Sequence, residues 1–195
     1  MTHFTDVTGL LGSAIAIVAV SAQMPGVSRL ANARRNWLLA AVFVAVLIPT
    51  GGLPMAAYLR GAIGDLSTTA VLLLCSGLLH GMRNRTNPPG KDGLLPLAAI
   101  TAVIFYPLAL GWGSFDPYRL GYGDYWFLAG LLGVALYAVW RGLATMAVAI
   151  ALGVLAWSTG WYESTNLWDY LLDPLVSVYA VFALSMRGIR KLRTP

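Results

Sequence analysis

Charge is scarce in this chain. Acidic and basic residues together make up 11% of its 195 residues, whereas a soluble domain carries about 25%. Cysteine is scarcer still. The single copy, Cys75, excludes a disulfide framework and any CxxC metal or redox site. The two histidines, His3 and His80, fall toward opposite ends of the expected membrane, which excludes a bis-histidine haem. Both lysines, Lys91 and Lys191, lie between or beyond the apolar stretches, so no span offers an amine for retinal. No Walker, HExxH or GxSxG pattern occurs, and no cofactor or metal is expected.

What the chain has in abundance is apolar length. Hydrophobic residues make up 58% of it, and the mean hydropathy is +0.70. They gather in seven stretches, about 8–24, 37–59, 66–81, 94–111, 125–140, 143–159 and 171–186. A stretch of roughly 17–25 residues crosses a hydrocarbon core of about 30 Å. Runs such as Leu94–Leu110 do not alternate apolar with polar, which argues against a transmembrane barrel. The sequence therefore predicts an all-α, polytopic membrane protein with about seven transmembrane helices. Residues 1–195 form one membrane domain, with breaks too short for a soluble one. The first stretch is expected to be retained, because Met1–Gly9 carries no Lys or Arg before it.

The few charges are sorted. With Arg29, Arg34 and Arg35 placed in the cytoplasm, alternation puts Arg83, Arg85, Lys91, Arg141, Arg187, Arg190, Lys191 and Arg193 there too. Only Arg60 and Arg119 fall outside. The positive-inside rule then gives an N-terminus out and a C-terminus in. Seven acids, Asp6, Asp65, Asp116, Asp124, Glu163, Asp169 and Asp173, lie outside, and only Asp92 lies inside. The net charge of +5 is thus +10 inside and −5 outside. It reflects orientation, and no nucleic-acid partner is expected. The basic tail at 187–193 would hold anionic lipid. Gly- and Ala-rich spans point to a bacterial cytoplasmic (inner) membrane, with the acidic face in the periplasm. The small residues Gly130, Gly133, Gly142 and Gly153 mark expected close helix contacts.

Part of the outer acidity has a structural explanation. Asp65, Asp124 and Asp173 each precede a descending helix, where a carboxylate caps free N–H groups and meets the positive end of the dipole. Pro174 suits a first helical position. Many of the Trp and Tyr residues fit an interfacial belt.

The two outer loops share a spacing. Trp112 precedes Asp124-Tyr125 by twelve residues, and Trp157 precedes Asp169-Tyr170 by twelve, which suggests a parallel hairpin repeat over 94–140 and 143–186.

Three segments are candidates for function. In residues 114–125, Asp116 and Arg119 would pair across an Asp-Pro turn, with Tyr118, Tyr122 and Asp124 offering rings and a carboxylate to a sugar or headgroup. In 161–170, Asn166 would cap a short helix with Asp169 in its first turn. That helix would lie on the membrane surface, with Leu167, Tyr170 and Leu171 in the interface and Trp168 beside them. Glu163 and Asp169 would alternatively join the other loop as a carboxylate cluster for acid–base work or cation binding. In 49–54, Pro49, Gly51, Gly52 and Pro54 interrupt the second span. This is either a broken helix of the kind that marks transporter sites, or a helix end near Ile48 followed by a buried loop.

Three functions fit these features. The first is a non-catalytic membrane subunit or binding protein whose acidic, aromatic outer loops engage a partner protein, lipid or glycan. The span centres are nearly free of ionisable residues, the usual marker of an ion path, which favours this reading. The second is an outer-leaflet enzyme using the loop carboxylates on a lipid-linked or glycan substrate, with Arg119 as the phosphate or carboxylate contact. The third is a small transporter of a neutral solute working at the break.

Overall fold

The computed structural model describes residues 4–82 and 91–193, and all regular secondary structure among them is helical. His3, Arg83 and Arg85 lie outside the described residues, as do the side chains of Lys91, Asp92, Arg190, Lys191 and Arg193. In order the helices are α1 (Phe4–Gln23), α2 (Pro25–Ser28), α3 (Asn32–Leu47), α4 (Met55–Ile63), α5 (Thr68–Met82), α6 (Lys91–Ala109), a 3₁₀ helix (Pro117–Tyr122), α7 (Tyr125–Trp140), α8 (Ala144–Ser158), α9 (Trp168–Leu171) and α10 (Pro174–Arg193). Among the described residues one segment, Thr5–Gln23, is long and apolar enough to cross a membrane by length and composition. Five more apolar helices run 15–17 residues, which at 1.5 Å per residue is about 22–26 Å.

The chain forms two compact units. The first contains Met1–Leu66, Val71–Pro88 and Gly160–Glu163. Its axis is α1, whose buried positions include Gly9, Gly12, Ser13, Ala14 and Val18. Small residues at this spacing let neighbours approach closely. The side chain of Val71 comes within 3.5 Å of where a Cβ on Gly12 would sit. Ala14, Val46 and Ala56 form a buried cluster with Leu10, Ile17, Val42 and Phe43 around it.

The second expected span is two helices. α3 stops at Leu47, the chain turns through an isolated bridge between Pro49 and Pro54, and α4 begins at Met55. Proline has no N–H and breaks the ladder, and Gly51 (φ 77°) and Gly52 (φ 129°) supply the backbone angles the turn needs. Ala56 packs with Ala14, and Arg60 lies against Gly9 and Asp6. α4 therefore climbs past α1 toward its N-terminus. The intervening residues 48–53 are exposed, so the alternative of a buried loop after Ile48 is not what forms.

The second unit contains Ser67–Ala70, Pro89–Thr159 and Ser164–Pro195. Leu94, Leu95, Ala98, Ala99, Ala102 and Phe105 make one buried stripe along α6, which packs against α10 and α8. On α8 the stripe is Met146, Ala149, Ile150, Gly153 and Ala156. Of the four glycines expected at close contacts, only Gly153 makes one. Its Cβ would sit 2.5 Å from Leu171, whereas those of Gly130, Gly133 and Gly142 would meet open space. Asp173 ties the start of α10 to the start of α5. Its Oδ1 accepts from the Val176 N–H at 2.8 Å, and its Oδ2 from the Ser67 N–H at 2.9 Å. Ser67 in turn caps α5 through the Ala70 N–H at 3.1 Å.

Candidate functional site

The two outer loops of the sequence reading come together in the second unit, and Asn166 is what joins them. Asn166 is 1% exposed. Its Nδ2 donates to the Tyr118 carbonyl at 2.9 Å, and its Oδ1 accepts from the Trp168 N–H at 2.9 Å. Its own N–H donates to Ser164 Oγ at 3.0 Å. Leu167 N–H adds a bond to the Gly121 carbonyl at 2.8 Å, and Trp168 Nε1 one to the Pro117 carbonyl at 2.9 Å. Gly121 is required here because a Cβ would lie 1.8 Å from Asn166 Oδ1 and 2.8 Å from the Trp168 ring. Two irregular segments about fifty residues apart are thus pinned as one body.

Around this join the rings form a cluster. Trp168 lies between Phe105 and Phe127, with ring centroids 4.5 and 4.6 Å away, and Tyr118 stands edge-on to Tyr122 at 5.8 Å. Aromatic pairs at such separations add about 0.5–1.5 kcal/mol beyond their buried area. Leu167 and Tyr170, expected in the lipid interface, are instead fully buried in protein. The Tyr170 hydroxyl donates to the Ser164 carbonyl, and its own carbonyl accepts from Thr68 Oγ1.

The carboxylates are largely engaged. Asp169 accepts from the Tyr118 hydroxyl at 3.0 Å and from Ser164 Oγ at 2.5 Å. Burial, and then the bond to Asp169, push the Tyr118 phenol well above its ordinary range, so it stays a neutral donor. Asp124 caps α7 through the Phe127 N–H at 2.9 Å. Asp116 caps the 3₁₀ helix through the Tyr118 N–H at 2.9 Å and does not pair with Arg119, contrary to expectation. Tyr118, Asp124, Asn166, Trp168 and Asp169 therefore position the loops. Asp116, Arg119 and Tyr122 remain exposed on their surface, with Trp112, Phe115, Tyr125 and Trp126 nearby in the chain.

Glu163 belongs to the other unit. It faces Arg60 at 3.7 Å, whose guanidinium also bonds Asp65 at 2.6 and 3.1 Å and Asp6 at 3.0 Å. The bond to Asp65 raises the affinity of Arg60 for its proton, against the opposing effect of burial. Asp65 is therefore an ion-pair partner and not a helix cap, a role Ser67 takes. The pair rests on bare backbone, since a Cβ on Gly9 would sit 2.2 Å from Asp65 Oδ1.

The twelve-residue correspondence between the loops does not carry over to the roles of the matched residues. Asp124 caps α7, but it is Asp173 that caps α10, while Asp169 serves the loop join. The Trp157 indole donates to the Thr165 carbonyl, whereas Trp112 is exposed. The joining role of Gly121 and Asn166 had no signature in the sequence. A glycine inside a short helical turn and a lone Asn were the only traces.

Among the described residues, no group of three or more His, Cys, Asp or Glu side chains is placed to hold a metal ion. No protein-family model, no curated protein and no solved structure matches this chain.

Proposed function

We propose that this chain is a multi-pass protein of a bacterial cytoplasmic membrane, with about seven crossings, N-terminus out and C-terminus in. We further propose that its joined outer loops form a non-catalytic binding surface for a partner protein, lipid or glycan. The membrane reading is supported by what the helices leave uncovered. Val20, Val44, Ile104, Leu136 and Val178 lie on five different helices and are each more than half exposed, as is Phe182 on the same helix as Val178. Lipid is the natural cover for large apolar side chains left open along helices of this hydropathy. Helices of 15–17 residues are at the short end for a crossing, and residues flanking them would complete it at modest mismatch. Two helical hairpins, α6–α7 and α8–α10, each carry a short helix and then an Asp-capped helix start in the connecting loop. That order supports a parallel repeat, in a register set by Asp124 and Asp173.

The observation that carries the binding reading is the Asn166 join. It holds the loop backbone rigid while leaving Asp116, Arg119, Tyr122 and the neighbouring rings exposed. Surfaces held this way bind with little ordering cost. The enzyme reading is weaker, because Asp124 and Asp169 are already held by backbone N–H or hydroxyl donors and Glu163 faces Arg60.

The binding reading is tested by replacing Asp116, Arg119, Tyr122 and Trp126 singly with Asn, Gln, Ala and Ala and identifying what co-purifies in mild detergent. The expected result is loss of a bound component at unchanged protein yield. An unchanged bound set across all four variants contradicts the proposal.

A transporter reading has one specific observation in its favour, the interruption between Leu47 and Met55. Uptake into proteoliposomes that collapses on replacing Pro49 and Pro54 with Ala would establish it, and unaffected uptake would count against it.

A further inference from the structure

We propose that the 3₁₀ edge carrying Asp116, Arg119 and Tyr122 seats the headgroup of a zwitterionic phospholipid, its phosphate on Arg119 and its ammonium on Asp116. The proposal rests on the loop surface being a binding surface at the outer leaflet. In a 3₁₀ helix, side chains three apart eclipse, with a rise of about 6 Å per turn. Asp116 caps the start of this helix, and Arg119 and Tyr122 follow at that interval. A guanidinium and a phenol therefore share one edge, with the capping carboxylate at the start of the same short helix.

The two charges are close in the chain but unsatisfied by each other. Asp116 uses one oxygen to accept from the Tyr118 N–H, and Arg119 is exposed with no hydrogen bond or ion pair to any described residue. The contrast with Arg60, the other basic residue assigned to the outer face, is direct. Three carboxylates surround that guanidinium, so it has no capacity for a ligand.

A headgroup with a phosphate joined by a short link to a primary ammonium presents the complementary pair of opposite charges. Arg offers the phosphate a planar donor fork. Asp116 accepts from the ammonium, and the Tyr122 ring, 60% exposed, offers the same cation its face. A purely anionic headgroup would meet the Asp116 charge, so the pattern discriminates by repulsion as well as by attraction. A membrane lipid fits better than a soluble zwitterion because Trp112, Tyr125 and Trp126, each at least 79% exposed, sit in the same stretch of chain. Such rings settle at the headgroup level of a bilayer.

The test uses the full chain, delipidated in detergent, with phosphatidylethanolamine or phosphatidylglycerol of matched acyl chains added and bound lipid counted by native mass spectrometry. Wild type is expected to retain the ethanolamine lipid about fivefold over the glycerol lipid, the ratio an exposed charge pair supplies. Asp116→Asn keeps a good cap residue but removes the charge, and should abolish that preference. Arg119→Gln should lower retention of both lipids, and Arg119→Lys should restore part of it. Water-soluble glycerophosphoethanolamine should not displace the bound lipid. Equal retention of the two lipids by wild type, an unchanged preference in Asp116→Asn, or displacement by the soluble headgroup would each overturn the proposal. Should the lipid preference be absent while Tyr122→Ala or Trp126→Ala still strips a protein or glycan, the lipid inference fails and the binding-surface reading stands.

Discussion

Asn166→Ala is expected to loosen the outer loops by about 3 kcal/mol. The side chain makes two hydrogen bonds, to the Tyr118 carbonyl and from the Trp168 N–H. Each contributes about 1 kcal/mol net, and leaving the two backbone partners unpaired in a site that is 1% exposed adds about 1 more. For a chain of this size that is a drop in melting midpoint of about 6–12 °C. The assay is tryptophan fluorescence during a thermal ramp at one fixed scan rate in detergent. Proteolysis within 159–167 reports the same opening locally.

Gly121→Ala should be of similar severity, because its Cβ would occupy the position of Asn166 Oδ1. The double mutant decides the reasoning. With Asn166 truncated, most of the obstruction to the methyl added at position 121 is gone, so the pair should fall short of additivity by at least about 1 kcal/mol. The Trp168 ring, 2.8 Å from the built Cβ, prevents full relief. Strict additivity, or an Asn166→Ala midpoint within about 2 °C of wild type by the relation above, would refute the claim that this residue joins the loops.

Other perturbations follow from the same contacts. Arg60→Gln strands Asp6 and Asp65 beside one another and should destabilise by about 1–3 kcal/mol, less in high salt because Asp6 is partly exposed; thermal ramps at two salt concentrations check this. Arg60→Lys should recover only a minor part, since an ammonium cannot reproduce the fork on both Asp65 oxygens. Asp173→Ala removes acceptors from the N–H groups of Val176 and Ser67 and should destabilise by about 2–3 kcal/mol, with Asp173→Asn milder. Tyr118 holds its proton more tightly folded than unfolded, so its contribution is complete below pH 10 and is lost as pH rises beyond that value. The stability gap between wild type and Tyr118→Phe should therefore shrink above pH 10, and a gap that widens there would contradict the assignment.

Local features of the fold were legible in the sequence. The apolar run 125–140 coincides with α7, because Asp124 caps its start and the chain loses apolar character at Arg141. Pro49 and Pro54 announced the interruption between α3 and α4, since a missing N–H acts wherever the residue sits. The failures concern which side chains pair or pack together, near or far along the chain. Asp65 stands where a cap belongs, yet Arg60 five residues earlier takes both of its oxygens. Leu167 and Tyr170 have the pattern of an interfacial helix face, and only packing could show that protein covers them. Asn166 looked like a cap, and it does accept from the Trp168 N–H, but its second role depends on Tyr118, 48 residues away. No periodicity encodes such a contact. Likewise the twelve-residue spacing of the loops was real as sequence and misleading as geometry, because the second loop places its helix-capping Asp at 173.

The central claim is that the surface bearing Arg119 faces away from the cytoplasm while the start of the basic tail faces it. Single cysteines placed at 119 and at 187, each in a Cys75→Ser background, can be challenged with a membrane-impermeant maleimide in intact cells and again after permeabilisation. The account predicts labelling at 119 in intact cells and at 187 only once the membrane is opened. The reverse pattern would place the loop surface in the cytosol and contradict the account.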